Sequence, residues 1–206
     1  MVEVVDIGDS YLKSVNSTEG YDIKALKITG NGVAGRGEST EKGILFVTTG
    51  MHAREYVPPE LGSRFAEALV NGYGIDADIT SVLDHTEVHL ILEGNPDGRF
   101  VAETQPALYQ RKNQRTTCDN PDGQEGVDLV RNFPFKWGLD TGSSSDPCSQ
   151  VYRGSGPASE PEVQAIIEYA KTVFPADQRK EDPIGQINEP FDENTRGVYL
   201  DIHSYS

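Results

Sequence analysis

Cysteine, basic charge and long apolar runs are what this chain has least of. Only two cysteines, Cys118 and Cys148, stand in 206 residues. That scarcity excludes a cysteine-rich disulfide scaffold, and the spacing suggests no zinc site built on the two thiols. Both lie in polar stretches rich in Gly, Ser and Asp. Buried free thiols prefer apolar surroundings, so a disulfide is the better reading, one that adds on the order of 3 kcal/mol by closing its loop. The alternative is two free loop thiols in a reducing cytosol. Lys plus Arg number 18 against 33 Asp plus Glu, a formal charge of −15. A surface of that sign argues against nucleic acid and anionic membranes as partners. No apolar stretch reaches the roughly 20 residues that cross a bilayer, and no signal peptide is visible. Internal repeats and low-complexity tracts are absent too.

What remains is enough for one substantial core, with 36% hydrophobic and 25% charged residues. Residues 1–206 read as a single, partial domain. Val2 to Ile7 and Tyr21 to Ile28 read as strands, the second followed by a Gly30-Asn31-Gly32 turn. Gly43 to Thr49 is a continuous apolar run, the pattern of a strand covered on both faces. Pro58-Pro59-Glu60 opens a helix whose Leu61, Phe65, Leu69 and Val70 keep helical spacing. Ile79 to Leu83 reads as a short helix, and Glu87 to Leu92 as a strand that ends in the turn signal Glu93-Gly94-Asn95-Pro96-Asp97-Gly98. A loop-rich stretch then runs to about residue 157, a length that is usually functional. Ser159 and Glu162 read as a capping box before a helix with the stripe Val163, Ile166, Ile167, Ala170 and Phe174. Asp177 to Arg196 reads as an acidic surface insertion, and Gly197 to His203 as the last strand. This alternation predicts an α/β fold: three layers, α/β/α, around a mixed, mostly parallel sheet.

Polar chemistry gathers at the carboxyl ends of two of those strands, where open α/β sheets place ligands. His52 and Glu55 follow the first apolar run at a spacing of three, and His203 closes the last strand. Two imidazoles and one carboxylate are the ligand set of an open catalytic zinc site. His85 and His89 invite a second metal site, but a solvated or helix-packed strand face is the better reading. Asp119, Asp122 and Glu125 read as a solvated acidic loop rather than a calcium site.

The pair His52 and Glu55 says little alone, but its company is specific. In order, the chain carries Gly50-Met51-His52-Ala53-Arg54-Glu55, Asn95-Pro96-Asp97-Gly98, Arg111-Lys112-Asn113, Gly126-Val127-Asp128-Leu129-Val130-Arg131-Asn132-Phe133, Tyr152-Arg153-Gly154, Ser159-Glu160-Pro161-Glu162 and Ile202-His203-Ser204-Tyr205-Ser206. Together these strings resemble the zinc carboxypeptidases of the carboxypeptidase A/B family over nearly the whole chain. The resemblance implies one Zn²⁺ per chain held by His52, Glu55 and His203, with a fourth position open to water. It implies that Asp128 accepts the second ring N–H of His52. It implies that Arg111 is the catalytic arginine that stabilises the oxyanion. Arg131 and Asn132 match positions that hold the substrate's terminal carboxylate, and Arg54, Ser204 and Tyr205 match positions lining the cleft. Cys118 and Cys148 flank the arginine loop much as a disulfide does in the animal enzymes.

The implied function is zinc-dependent hydrolysis of the C-terminal peptide bond of peptides and proteins, in an extracellular or periplasmic compartment. Two departures leave rivals standing. The family has Asn immediately before the carboxylate-gripping arginine, and here Val130 stands there, which cannot donate to a carboxylate. The family's general-base glutamate and its specificity pocket belong downstream of the last ligand, beyond Ser206, and the expectation is truncation at both ends. The rivals are a catalytically inactive zinc- or peptide-binding remnant and a zinc amidase or deacylase on the same ligand set. The strand ending at His203 is expected to be an exposed edge, inviting self-association.

Overall fold

The computed structural model describes residues 1–32, 41–105, 109–118, 125–139, 141–176 and 194–204. Alternating and continuous apolar runs become five strands: β1 (Val2–Asp9), β2 (Asp22–Ile28), β3 (Gly43–Thr48), β4 (Thr86–Ile91) and β5 (Gly197–Asp201). They form one open sheet in the order β1-β2-β4-β3-β5. β3 runs parallel to both its neighbours, and β2 antiparallel to both of its own. The sheet is therefore mixed as expected, with parallel and antiparallel pairs equal in number among the described residues. The reason lies in the connections. β1 and β2 are joined by a short excursion that returns the chain alongside itself, whereas β3 reaches β4 through two helices, as a parallel crossover requires.

Those helices are α2 (Val57–Gly72) and α3 (Ala77–His85); α1 (Tyr11–Val15), α4 (Pro96–Thr104) and α5 (Pro161–Val173) complete the set. Prolines sit in the first turn of α2, where missing N–H groups cost nothing. Asp76 caps α3 by accepting from the backbone N–H of Asp78 and of Ile79. Two sequence expectations are corrected. The Asn95-Pro96-Asp97-Gly98 turn signal opens a helix: Asn95 is its N-cap, accepting from Gly98 N–H, and Pro96 its first residue. The capping box at α5 is not formed: Glu160 occupies the N-cap, and Glu162 turns inward to accept from Tyr11 N–H and the Asn113 amide.

Alternation along β3 sends neighbouring side chains into two separate cores. Phe46 joins Ile23, Ala25, Ile91, Val163 and Ile166, on the face that α5 covers. Val47 joins Ile28, Val88, Leu90, Ala66, Leu69 and Leu83, on the face that α2 and α3 cover. Each fully buried Val, Leu, Ile or Phe among them contributes about 1.5–3 kcal/mol. Helices thus lie on both faces, and the carboxyl ends of β3 and β5 emerge together from a packed framework. His89, on β4, packs between Phe46 and Tyr169 and hydrogen-bonds Tyr169 and Glu87, the helix-packed face that the sequence suggested. His85 ends α3 and bonds Ser81 O. Cys118 and Cys148 form a disulfide with Cα atoms 5.6 Å apart. β5 forms one edge of the described sheet and exposes Val198, Tyr199 and Leu200. No helix among the described residues is long and apolar enough to cross a membrane. Asp119, Asp122, Tyr205 and most of the Asp177–Arg196 stretch lie outside the described residues.

Candidate metal centre

The chain leaves β3 through Gly50, which takes a positive φ of 69°. A Cβ there would stand 2.4 Å from Glu93 Oε1, so glycine alone fits both the turn and the space. The next residues wrap into a turn in which Glu55 N–H donates to His52 O at 3.0 Å. Residues three apart thereby face one another: His52 Nδ1 lies 2.8 Å from Glu55 Oε1. From β5, 148 residues further along the chain, His203 Nδ1 reaches Glu55 Oε2 at 3.1 Å. The Ser204 N–H donates to the same oxygen at 2.8 Å. The two imidazole rings are 4.6 Å apart, and one ligand atom from each of His52, Glu55 and His203 lies within 4.8 Å of the others. His52 and Glu55 are buried, and His203 opens to solvent.

Each histidine is gripped from behind. His52 Nε2 lies 3.2 Å from Asp128 Oδ1, and His203 Nε2 lies 2.9 Å from Asp201 Oδ2. Both rings therefore present Nδ1 to the centre and give Nε2 to a carboxylate. This arrangement orients a metal-binding imidazole and fixes its tautomer. Asp128 is fully buried at the start of a 3-10 turn, Leu129–Arg131. Its other oxygen accepts from Arg111 Nε at 3.2 Å and Nη2 at 3.0 Å. Burial works to raise the Asp128 pKa, but the His52 hydrogen bond and the Arg111, His52 and Arg131 charges outweigh it and hold it below the ordinary carboxylate value. The His203 pKa is raised, first by the Asp201 hydrogen bond, against burial, with the Asp201 and Glu55 charges adding. Two nitrogens and a carboxylate at such spacing fit a zinc ion, and no harder cation prefers that donor set.

Arg111 is held beside the centre at both ends. Its carbonyl accepts from Ala53 N–H at 3.1 Å and from Asn95 Nδ2 at 3.4 Å, and Asn95 also bonds Met51 O at 3.3 Å. Arg111 Nη1 stands 3.9 Å from Glu55 Oε1. Arg54 lies in the same turn, its Nη1 donating to Tyr109 O at 3.4 Å. Arg131 ends the 3-10 turn, with Nε on Gly142 O at 2.8 Å. Asn132 corrects its sequence reading as a substrate contact. It is fully buried, its amide donates to Arg153 O, Gly156 O and Ser159 Oγ, and its Oδ1 accepts from Glu160 N–H. Such an amide has no donor left for a substrate and serves to join the loop to α5. Sequence reasoning missed Asp201 and Asn95. Asp201 was legible as a carboxylate two residues before a histidine on a strand, where alternation puts both on one face.

Residues 1–206 match the family described as zinc carboxypeptidase. The chain is 35% identical over 164 residues to metallocarboxypeptidase A of Trichophyton tonsurans, covering 79% of this chain and 36% of that protein. It is 33% identical over 157 residues to carboxypeptidase A1 of Rattus norvegicus, covering 75% of this chain and 34% of that one. The chain thus spans little more than a third of the length of these relatives. Among solved structures it resembles thrombin activatable fibrinolysis inhibitor, with a TM-score of 0.73 at 28% identity, covering 100% of this chain and 43% of the other. It also resembles carboxypeptidase A from Helicoverpa armigera, with a TM-score of 0.71 at 28% identity, covering 100% and 41%. The chain belongs to the zinc carboxypeptidase family.

Proposed function

We propose that this chain carries the zinc centre of a metallocarboxypeptidase that releases C-terminal residues from peptides and proteins in an oxidising, extracellular or periplasmic compartment. The observation that carries the reading is the shared orientation of His52 and His203, each turning Nδ1 toward the Glu55 carboxylate while a second carboxylate holds Nε2. His52, Glu55 and His203 are the ligands, one ion per chain. When bound, zinc supplies a Lewis acid that polarises the scissile carbonyl and lowers the pKa of a coordinated water to about 7. Asp128 keeps His52 in the tautomer with its proton on Nε2. Arg111, held beside Glu55, donates to the carbonyl oxygen as negative charge develops there, and losing such a donor typically costs about 100- to 1,000-fold in rate. Arg131 offers a planar fork to the substrate's free carboxylate, Arg54 meets the residues before the cut, and Ser204 lines the cleft behind His203, a role the family resemblance also gives to Tyr205. The disulfide supports the oxidising compartment.

The test pairs metal content with substrate choice. The metal-free chain takes up one zinc, and Glu55→Gln or His203→Ala lowers the affinity by more than about 100-fold, beyond the usual cost of losing an orienting partner. The enzyme isolated from its source cleaves a blocked dipeptide with a free carboxylate and leaves the same compound amidated at its C-terminus intact. Cleavage of the amidated compound marks an amidase instead. Zinc uptake with turnover of neither marks a binding remnant.

A further inference from the structure

Asp201 does more than end a strand. The Asp201 Oδ2 atom lies 2.9 Å from His203 Nε2, and its Oδ1 accepts from Thr48 Oγ1 at 2.7 Å. Thr48 is fully buried in β3, and its Oγ1 lies 2.9 Å from the Tyr199 hydroxyl. Proton counting fixes the direction of this chain. Thr48 has one hydroxyl proton and an ionised carboxylate can only accept, so that proton goes to Asp201. The Tyr199 hydroxyl must then donate to Thr48. A phenol with its ordinary pKa of about 10 keeps that proton at neutral pH. On the far side, Asp201 Oδ2 can only accept, so His203 Nε2 carries the proton and metal binding falls to Nδ1. The Tyr199 ring is itself wedged against Phe46, at 5.6 Å between centroids, so the series is anchored in the core.

We propose that Asp201 is the positioning residue for His203, fixing its ring and tautomer through a hydrogen-bonded series, Tyr199–Thr48–Asp201–His203, anchored on β3. The inference rests on the reading of His203 as a metal ligand. It gives the two histidines matched but separately built supports, Asp128 from the arginine loop and Asp201 from the sheet. The measurement is zinc affinity of the purified chain by competition with a chromophoric chelator, alongside the thermal midpoint of the metal-free protein. Asp201→Ala binds zinc about 10- to 100-fold more weakly than wild type, with an unchanged metal-free midpoint. Asp201→Asn falls between them, because its amide oxygen accepts the same proton without the charge. Thr48→Val loses less than Asp201→Ala, since Asp201 remains. The cobalt(II)-loaded protein reports ligand geometry directly, and its absorption bands shift in Asp201→Ala. Wild-type affinity and bands in Asp201→Ala overturn the proposal, as does an affinity loss matched by a loss of metal-free stability. A wild-type chain that takes up no zinc is a different failure, and it removes the metal reading itself.

A second, independent observation lies on the opposite end of the chain. Asn16-Ser17-Thr18 is an Asn-x-Thr acceptor sequence, and no other asparagine of the chain has Ser or Thr two residues on. All three residues are exposed, in the turn after α1. Thr18 Oγ1 donates to Asn16 Oδ1 at 2.9 Å, so hydroxyl and amide already meet as a presented pair. The Asn16 amide donates to the exposed Glu19 side chain at 3.0 Å, a contact readily released to solvent. The disulfide independently points to the secretory compartment in which such acceptors are used. We infer that Asn16 accepts an N-linked glycan. In that transfer Asn16 Nδ2 forms a bond to the anomeric carbon of a lipid-diphosphate-linked oligosaccharide. The bond from that carbon to the diphosphate oxygen breaks, the lipid diphosphate departs, and one amide proton passes to a base of the transferase. The test is the full chain behind a secretory leader, recovered from the medium of a eukaryotic host. A mass excess removed by peptide N-glycosidase, and absent from Asn16→Gln and Thr18→Ala, supports the inference. Secreted wild-type chain of unmodified mass overturns it.

Discussion

Glu55 with Asp128, and Glu160 with Glu162, are two pairs of buried carboxylates held in one framework by different partners. At the start of α5 every partner is a fixed donor. Glu160 accepts from Ser159 Oγ, Asn113 Nδ2 and Arg115 Nε, and Glu162 accepts from Tyr11 N–H and Asn113 Nδ2. These bonds tie the N-terminal segment, the arginine loop and α5 into one body. At the end of β3, Glu55 accepts from Ser204 N–H but otherwise faces the Nδ1 atoms of His52 and His203, whose lone pairs a metal can take while Nε2 keeps each ring's proton. The lesson is that burial of acids does not by itself mark a functional site. What separates the two places is whether every partner is a fixed donor.

The largest expected effect breaks the saturated pair. Glu160→Ala removes the acceptor of the partly exposed Arg115 guanidinium, of one Asn113 donor and of the Ser159 hydroxyl, and each buried polar group left unpaired costs about 1–3 kcal/mol. Chemical denaturation of the metal-free chain measures it, and zinc uptake per folded molecule stays unchanged. An equal loss of zinc affinity in the folded fraction would mean that the two regions are not separable.

A smaller effect separates the pairs by sign. Burial, against the backbone donors of Glu162 itself and Tyr11 and the Asn113 amide, raises the Glu162 pKa from 4.5 to about 7. An acid that holds its proton more tightly when folded stabilises the fold fully below its unfolded pKa. That contribution declines as pH rises from 4.5 through about 7, by about 3 kcal/mol at about 1.36 kcal/mol per unit. Asp128 acts in the opposite sense: its lowered pKa contributes stability present above 3.8 and lost as pH falls through the folded value. Denaturation midpoints of the metal-free chain between pH 4.5 and 7 therefore decline, and Glu162→Gln flattens the slope over that window. A flat wild-type profile would place Glu162 among ordinary surface acids.

The same contrast explains what the sequence made legible. β3 was readable because a continuous apolar run has few other uses, and α2 and α5 because their apolar stripes keep helical spacing. His52, Glu55 and His203 were readable because donor chemistry and the surrounding strings restrict them so strongly. The saturated cluster was not, since nothing local reveals that Glu162 turns away from its helix end toward Tyr11, 151 residues earlier. Helix α4 was missed because Asn, Pro, Asp and Gly serve both turns and helix starts, and only the capping bond to Gly98 N–H distinguishes them. Asn132 was misplaced for a related reason. Its position in the string suggests a substrate contact, while the three acceptors that consume its amide come from residues 153 to 159.

Val130 carries the smallest predicted effect and the sharpest question about the site. Its N–H donates to Asp128 Oδ1 at 3.2 Å, while its side chain packs, partly buried, against the cluster that holds Leu129, Ile91 and Ile166. Placing an amide on that surface costs about 1 kcal/mol, the ordinary scale for a point substitution. Val130→Asn therefore lowers the denaturation midpoint slightly in any form of the protein. In the active enzyme it also lowers KM or raises kcat for the free-acid dipeptide and leaves the amidated compound untouched, because only a carboxylate gains from the new donor. A stability cost with no kinetic change would mean that the side chain stays folded against the core. Position 130 would then belong with Asn132 and Glu160, to the framework that holds the arginines rather than to the group that touches substrate.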